Sequence, residues 1–170
     1  MMPLLRNATE LDAGKIATLV NRAYRPQADE RGWTHEADLV SGPRTTEEQV
    51  LALFGSCSSI LILCQDAGIV ACVHVTCHER CANIGMLATD PCYQTQGMGK
   101  LILDYAERYA TVHFDATSFR MSVLSSRPEL IAFYERRGYT RTGQTESYPI
   151  AAGTGEPIVD GLQLEILVKR

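Results

Sequence analysis

A glycine-rich stretch at residues 90–100 contains the residue types that bind a negatively charged ligand. It reads Asp-Pro-Cys-Tyr-Gln-Thr-Gln-Gly-Met-Gly-Lys and lies between an apolar run and a segment with helical periodicity. Gly97 and Gly99 allow the backbone to approach a ligand closely, and the first N–H groups of a helix carry partial positive charge. The stretch therefore predicts a phosphate or diphosphate site, with a tight strand-to-helix turn as the structural alternative.

Two common phosphate-binding motifs do not fit this stretch. A P-loop requires glycine at position 94 and serine or threonine at position 101, where the chain has Gln94 and Leu101. A dinucleotide-binding motif that starts at Gly97 requires glycine at position 102, where the chain has Ile102. Both motifs are therefore excluded.

Residues 74–81 contain four residues of zinc-binding type, namely His74, Cys77, His78 and Cys81. The apolar, β-branched character of residues 69–78 predicts a strand, in which the two histidines point to one face and Cys77 to the other. The segment also lacks the paired Cys-x-x-Cys spacing of zinc knuckles. We therefore expect no metal site, and we expect the cysteines to be thiols in a reducing compartment.

A second motif follows at residues 130–139, which read Leu-Ile-Ala-Phe-Tyr-Glu-Arg-Arg-Gly-Tyr. Together, Gln94-x-x-Gly97-x-Gly99 at the start of an amphipathic helix and this later block with Tyr134 resemble the GNAT acetyltransferase superfamily. They match its two diagnostic segments in type and order. The order of elements resembles the family over about residues 3–168, and the specific part of the resemblance is residues 84–139.

The resemblance implies that acetyl-CoA is the acyl donor. In the family, the strand that corresponds to residues 83–89 splays away from the strand that corresponds to residues 119–124. The pantetheine arm then pairs with backbone that corresponds to Leu87 and Thr89. Gln94 opens the diphosphate loop, and the implied backbone amides around the diphosphate are those of Gln96, Gly97, Met98, Gly99 and Lys100.

Tyr134 matches the general acid of the family. Acyl transfer from a thioester expels a thiolate, which a phenol hydroxyl within hydrogen-bonding distance can protonate. A tyrosine that only packs on the sheet is the structural alternative. The family often has asparagine seven residues before this tyrosine, where the chain has Arg127. Arg127 is therefore a candidate contact to a coenzyme phosphate, with a solvated arginine as the equal alternative.

No general base is evident in the sequence. An amine acceptor is mostly protonated at neutral pH and must lose a proton before it attacks the thioester. The candidates are Glu36, His74, His78 and Glu79. A water relay is an equal alternative.

We expect the loops at residues 24–46 and 149–160 to recognise the acceptor, since loops that border a rigid cleft usually carry specificity. Trp33 and Glu36, with Asp38, are candidates for an aromatic and anionic pocket around an ammonium or guanidinium group. Alternatively, Trp33 anchors the loop and the acidic residues are solvated. Three basic residues in the same region equally favour an acceptor with a carboxylate, such as an amino acid: Arg22, Arg25 and Arg44.

The pattern of elements predicts an α+β domain, three layers deep, with a mixed, mostly antiparallel sheet of about seven strands and helices on both faces. Strands are predicted at residues 3–6, 60–65, 69–78, 83–89, 119–124, 139–148 and 162–168. Helices are predicted at about 10–22, from 45 onward, at 98–109 and from Pro128 to a left-handed cap at Gly138. The second helix is expected to pack through Val50, Leu51 and Phe54.

The length of 170 residues fits one acetyltransferase-type domain over residues 1–170. A net charge of -4 with scattered basic residues gives no support for nucleic-acid binding. The longest aliphatic run covers residues 60–64, whereas a membrane span needs about 20 residues, and the first residues show no secretory signal pattern. We expect a cytoplasmic protein without membrane partners, in which the apolar last strand is a candidate seam for a homodimer.

The resemblance favours an N-acetyltransferase that moves acetyl from acetyl-CoA directly to the primary amine of a small molecule in a ternary complex. Cys92 lies near the glycine-rich loop, but direct transfer needs no nucleophile from the protein. One alternative is a non-catalytic module that binds or senses acyl-CoA, and another is a protein or peptide N-acetyltransferase. The presence of Tyr134, which matches the general acid of the family, favours an enzyme over a non-catalytic module.

Overall fold

A computed structural model of the chain describes residues 2–27 and 35–170. The four α-helices of this part are α1 (Ala13–Tyr24), α2 (Glu47–Leu51), α3 (Met98–Phe114) and α4 (Pro128–Glu135). The strands are β1 (Leu4–Asn7), β2 (Val40–Ser41), β3 (Ser58–Gln65), β4 (Gly68–His78), β5 (Cys81–Thr89), β6 (Ser118–Leu124), β7 (Thr140–Ser147), β8 (Glu156–Pro157) and β9 (Gln163–Lys169).

Seven of these strands form one sheet in the order β1-β3-β4-β5-β6-β9-β7. The pair β5 and β6 is parallel, and the other neighbours in this sheet are antiparallel. The short strands β2 and β8 pair with each other separately. The expected fold class, a mixed and mostly antiparallel sheet with helices, is therefore confirmed.

Helices cover both faces of the sheet because both faces carry rows of apolar side chains. On one face, Leu103 of α3 and Ile131 of α4 belong to the same buried cluster as Leu61 and Val73. On the other face, Ile16 and Val20 of α1 pack with buried residues of β3, β4 and β5. This arrangement removes a continuous apolar layer on each side of the sheet from water.

Helix α3 holds the glycine-rich stretch at one end of the sheet. Its buried residues recur at helical spacing, at Ile102, Leu103, Ala106 and Ala110, so that one face packs on the sheet. The preceding residue, Gly97, has φ +80°, a left-handed conformation that glycine adopts without a steric penalty. The packing of α3 therefore determines where its N-terminus points.

Helix α2 is short, and it differs from the expectation at Leu51. A reciprocal capping box begins it, in which Gln49 N–H donates to Thr46 Oγ1 at 3.2 Å and Thr46 N–H donates to Gln49 Oε1 at 3.1 Å. Val50 is fully buried, and Phe54, which lies beyond the end of the helix, packs against the same cluster as expected. Leu51 is 38% exposed. The expectation that Leu51 packs inward was wrong, because one turn of helix presents only one inward-facing position here.

The last strand does not lie at an edge. β9 is hydrogen-bonded to β6 on one side and to β7 on the other, so its backbone cannot pair with a second copy. The proposed dimer seam at the last strand was therefore wrong. The edge strand on this side of the sheet is β7, whose eight residues are all exposed.

No helix in residues 2–27 and 35–170 is both long and apolar enough to cross a lipid bilayer.

Candidate functional site

The start of α3 presents backbone N–H groups that have no acceptor within the helix. The first bond that closes the helix runs from Leu101 N–H to Gly97 C=O at 3.0 Å. The N–H groups of Met98, Gly99 and Lys100 precede that bond, so they remain available to an external acceptor. Together with the helix dipole, they form a position that favours a negatively charged group.

A cavity of about 330 Å³ lies beside this helix start. Its walls come from β5, the glycine-rich stretch, α3, α4 and the end of α1. The lining residues are Tyr24, Leu87, Thr89, Gln94, Thr95, Gly97, Met98, Gly99, Lys100, Leu130, Phe133, Tyr134 and Arg137. We call it the first cavity.

The structure brings most of the residues predicted for the coenzyme to this cavity. Gln94 is buried, and its side-chain amide donates to the carbonyl of Thr89 at 3.2 Å, which links the loop to the end of β5. Gln96 is exposed and donates from its side chain to the carbonyl of Cys92 at 3.3 Å, outside the cavity lining. The predicted role of Gln96, through its backbone amide, stays a prediction.

The first cavity opens where the sheet splits. β5 and β6 pair only from Cys81–Asn83 to Ser118–Arg120, and the rest of β5 continues without a partner on that side. Within this free part, Met86 has φ +51°, and the register of β5 with β4 shifts at the same place. The backbone of β5 beyond Asn83 is therefore left without a strand partner on the β6 side.

Tyr24 lies across this opening. Its hydroxyl donates to the carbonyl of Leu87 at 2.8 Å, so the end of α1 is tied to the free part of β5. The side chain is half-buried, and its burial raises the pKa of its hydroxyl. Tyr24 therefore keeps its proton and remains a donor to Leu87 at all ordinary pH values.

Tyr134 projects from α4 into the same region. It is buried, and its ring meets those of Phe133 and Tyr139 edge to face, with centroids 5.2 Å and 6.0 Å away. Burial raises the pKa of Tyr134 to about 12, although the charges of Arg137 and Arg127 oppose the shift. Within the part of the chain that the structure describes, its hydroxyl makes no hydrogen bond, so it can donate to a ligand.

A second cavity of about 220 Å³ adjoins the first. Tyr24, Leu130 and Tyr134 line both cavities, so the two meet at the Tyr134 side chain. The other walls of the second cavity come from β5, β6, the segment at residues 148–154 and three charged residues, which are Glu36, Arg44 and Arg127. A ligand in each cavity would bring reacting groups together beside Tyr134.

All three of those charged residues were candidates from the sequence, and two of them, Glu36 and Arg127, form ion pairs. Glu36 is buried and forms an ion pair with Arg25 at 3.3 Å, where both side chains are less than one-tenth exposed. Arg127 lines the second cavity, and its guanidinium donates to Glu129 at 2.5 Å and to the backbone carbonyl of His35. The predicted contact of Arg127 with a coenzyme phosphate stays a prediction. Trp33, the proposed partner of Glu36, lies outside the described residues.

Of the other candidate bases, His74 lies in β4 with Nε2 at 2.9 Å from Ser58 Oγ. Burial, and then the charge of Arg44, lower the pKa of His74, so it is neutral at pH 7. His78 and Glu79 are exposed at the turn between β4 and β5, at the opposite end of β5 from the first cavity. The structure therefore brings neither of these two residues to the junction of the cavities.

Among residues 2–27 and 35–170, no group of three or more histidine, cysteine, aspartate or glutamate side chains is arranged to hold a metal ion. Cys77 is directed toward the α3 face, where its thiol contacts the carbonyl of Phe114 at 3.7 Å. His74 faces Ser58 instead.

Sequence reasoning missed Tyr24, Thr95, Leu130, Phe133 and Arg137 as lining residues of the first cavity. Arg137 had a usable signal, because it follows Tyr134 by three positions and so shares its side of the chain. Its guanidinium lies 3.5 Å from the centre of the Phe133 ring and donates to the Phe133 carbonyl at 2.7 Å. This places a cation beside the cavity that holds the free amides of α3.

Comparison with known protein families gives one match. The family model described as an acetyltransferase (GNAT) domain matches residues 56–141, about half of the chain. The matched part begins before β3 and ends in β7, so it includes the glycine-rich stretch and Tyr134. No curated protein matches this sequence.

Solved acetyltransferase structures share the fold. The ribosomal-protein-S18-alanine N-acetyltransferase from Escherichia coli superposes with a TM-score of 0.75 at 18% identity, covering 99% of this chain and 93% of that one. A chimeric spermidine N-acetyltransferase from Vibrio cholerae gives 0.71 at 13% identity, with 99% and 95% covered. A GNAT family acetyltransferase from Elizabethkingia anophelis with acetyl-CoA bound gives 0.69 at 14% identity, with 99% and 97% covered.

Replacing Gly97 by alanine tests the backbone conformation at the helix start. A Cβ at Gly97 would meet no atom within 4 Å, so any cost arises from its φ of +80°. We expect Gly97→Ala to lower the free energy of unfolding by about 1 kcal/mol, measured by urea denaturation. Gly55→Ala is the matched control, because Gly55 also has free space around it and lacks a left-handed φ. Equal stability of the two variants would contradict this reading of the loop.

Proposed function

This chain belongs to the GNAT acetyltransferase family, and from that premise we propose that it transfers acetyl from acetyl-CoA directly to the primary amine of a small molecule. Members of this family are acetyl-CoA-dependent N-acetyltransferases, so the reaction class follows from membership. The proposal goes further in three respects: the orientation of the donor, the class of acceptor and the residues that take part in the reaction. It treats residues 1–170 as one acetyltransferase domain.

The observation that carries the proposal is the junction of the two cavities at Tyr134. One cavity ends at the free N–H groups of α3 and runs along the unpaired part of β5, which matches the needs of a diphosphate joined to an extended thioester arm. The other cavity supplies separate space for an acceptor. A sensor that only bound acyl-CoA would not need the second cavity.

In this proposal the coenzyme diphosphate accepts hydrogen bonds from the amides of Gly97, Met98, Gly99 and Lys100, with Gln96 contributing its own. The pantetheine amides pair with the backbone of β5 near Leu87 and Thr89. The Leu87 carbonyl already accepts the Tyr24 hydroxyl, and a carbonyl oxygen has a second lone pair for the coenzyme. Gln94 acts indirectly, because its bond to Thr89 holds the loop against β5.

The reaction then proceeds by direct attack of the neutral amine on the thioester carbonyl carbon. The C–N bond forms as the carbonyl oxygen takes up negative charge, and the tetrahedral adduct collapses with cleavage of the C–S bond. The nitrogen proton leaves to water or to a base, and Tyr134 gives its hydroxyl proton to the departing thiolate. The Tyr134 phenolate then takes a proton from solvent, which restores the acid. The products are the N-acetyl compound and free coenzyme A.

The raised pKa suits Tyr134 to this role as an acid. A phenol with a pKa of about 12 stays protonated throughout the range in which an amine with a pKa of about 10.4 loses its proton. The acid form and the nucleophilic amine therefore coexist at alkaline pH.

A small acceptor is favoured over a protein because the second cavity has a volume of only about 220 Å³ and is bordered by several elements. Its walls include residues of β5, β6 and the 148–154 segment, and Glu36 and Leu164 also line it. A side chain or terminus of a folded protein would have to enter this space as an extended segment. The Escherichia coli neighbour acetylates an alanine of a ribosomal protein, so the protein acceptor remains the second candidate for an assay.

Replacing Tyr134 by phenylalanine tests the acid directly. We expect Tyr134→Phe to lower kcat by about 100-fold, within the usual range for loss of one acid or base, and to leave the dissociation constant for acetyl-CoA almost unchanged. The measurement is release of free thiol from acetyl-CoA in the presence of a panel of amines. Tyr105→Phe is the matched control, because Tyr105 lies on α3 outside both cavities. Unchanged turnover of the Tyr134 variant would remove this residue from the mechanism.

The pH dependence provides a separate test. Because burial raises the pKa of Tyr134 to about 12, Tyr134 keeps its proton at pH values at which an ordinary tyrosine, with a pKa of about 10, would lose it. We expect kcat/KM to rise between about pH 7 and about pH 10 as the amine deprotonates, with no descending limb from Tyr134. A fall in rate near pH 9 that is present in the native enzyme and absent in Tyr134→Phe would show that the phenol ionises early.

A further inference from the structure

The geometry points to an acceptor that carries a carboxylate as well as its amine, with Arg44 as the residue that binds the carboxylate. This inference rests on the proposed function, because it names the class of substrate for the second cavity. It would make the enzyme an N-acetyltransferase of amino acids or of closely related amino-carboxylates. Three charged side chains line that cavity. The ion pairs that each of them forms determine the charge that the cavity presents to a ligand.

The only carboxylate in the described lining of the second cavity, Glu36, is already neutralised. Its side chain is buried against Arg25 at 3.3 Å. Arg25 is itself held in place, since it donates to the carbonyls of Gly42 at 2.8 Å and Thr154 at 2.9 Å. A buried ion pair of this kind leaves little negative potential for an ammonium ligand. Arg25 therefore ties the 24–46 segment to the 149–160 segment, and Glu36 balances its charge.

Arg127 is compensated in a similar way. Its guanidinium donates to the Glu129 carboxylate at 2.5 Å and to the backbone carbonyl of His35. The bond to His35 ties the start of α4 to the segment that follows residue 34. The positive charge of Arg127 is therefore balanced by Glu129 before any ligand binds.

Arg44 is different, because no carboxylate in residues 2–27 or 35–170 forms an ion pair with it. Its side chain is partly buried, and its guanidinium lies over the ring of Tyr24 at 5.3 Å from the centroid. Its position is supported from the backbone, since the N–H groups of Arg44 and Thr45 both donate to Asn21 Oδ1, at 2.8 and 3.1 Å. A preformed, uncompensated guanidinium in a cavity wall favours a carboxylate.

Tyr24 contacts both Arg44 and the wall of the first cavity. One face of its ring contacts Arg44, while its hydroxyl bonds to Leu87 in the first cavity. A ligand with its carboxylate on Arg44 would extend past the Tyr24 ring toward Tyr134, which lines both cavities. Its amine would then lie near Tyr134, where the two cavities meet. Amines without an anionic group would leave Arg44 unpaired.

The experiment compares matched acceptors. Standard L-amino acids are assayed with acetyl-CoA beside their carboxamides and their decarboxylated amines, and thiol release is followed for each. We expect kcat/KM to be higher for the amino acid than for its amide by about tenfold or more, because a hydrogen bond to a charged group is lost in the amide. Equal or better turnover of the uncharged partners would overturn the inference while leaving the acetyltransferase proposal intact.

Variants of Arg44 identify the residue responsible. Arg44→Gln should lower kcat/KM for the preferred amino acid by roughly 10- to 100-fold and change that for its amide much less, whereas Arg44→Lys should retain an intermediate preference. Arg80→Gln is the charge-matched control, because Arg80 is exposed at the distant β4–β5 turn and pairs with Asp115. A loss by Arg44→Gln that is equal for acid and amide would show only a structural role and would overturn the assignment.

A binding measurement separates this inference from the reaction itself. Calorimetry in the presence of coenzyme A compares N-acetyl amino acids with their N-acetyl carboxamides as product ligands. Tighter binding of the acids by native protein, and loss of that preference in Arg44→Gln, would support the carboxylate site even if no amine turned over. Equal affinity, or no binding of either ligand, would overturn it. Absence of turnover with every amine would count against the proposed function alone.

Discussion

The site depends on the backbone at the start of α3, where three consecutive N–H groups have no acceptor in the helix. Gly97 adopts a left-handed φ, the chain turns from the end of β5 into α3, and the helix begins with its amides directed at the first cavity. The buried face of α3, with Leu103 at its centre, fixes the direction of that helix against the sheet. Anion binding at this position therefore follows from core packing together with one permissive glycine.

A second constraint is the split between β5 and β6. A parallel pair that separates after Asn83 leaves backbone of β5 unsatisfied by the sheet, and Tyr24 satisfies part of it through Leu87. The same split creates the opening through which two ligands can meet. Tyr134 stands at that meeting point, in surroundings dry enough to keep its phenol protonated.

The sequence predicted the features that arise from local patterns. The loop from Gln94 to Lys100 has a composition that specifies a turn into a helix, and the block around Tyr134 has helical spacing. The long apolar runs similarly predicted the β3, β4 and β5 strands close to their observed bounds. Each of these patterns lies within a short stretch of sequence, so it can be recognised without knowledge of the tertiary structure.

Contacts between distant segments were not accessible in this way. Tyr24 reaches Leu87 only because α1 packs across β5, and the pairing of Glu36 with Arg25 depends on how the 35–46 segment folds back. The inward position of Val50 and the exposure of Leu51 depend on the length of α2, and the interior position of β9 depends on strand order. Such features are set by tertiary packing, which overrides local propensity.

The central claim is that the α3 amides bind the diphosphate of a coenzyme A thioester. A calorimetric comparison of two ligands tests this claim most directly. Acetyl-CoA and S-acetylpantetheine, which lacks the diphosphate and nucleotide, are titrated into the same folded protein. The account predicts a dissociation constant for acetyl-CoA between about 1 μM and about 1 mM, and binding of S-acetylpantetheine weaker by about tenfold or more. Equal affinity for the two ligands, or no association of acetyl-CoA at millimolar concentration, would contradict it.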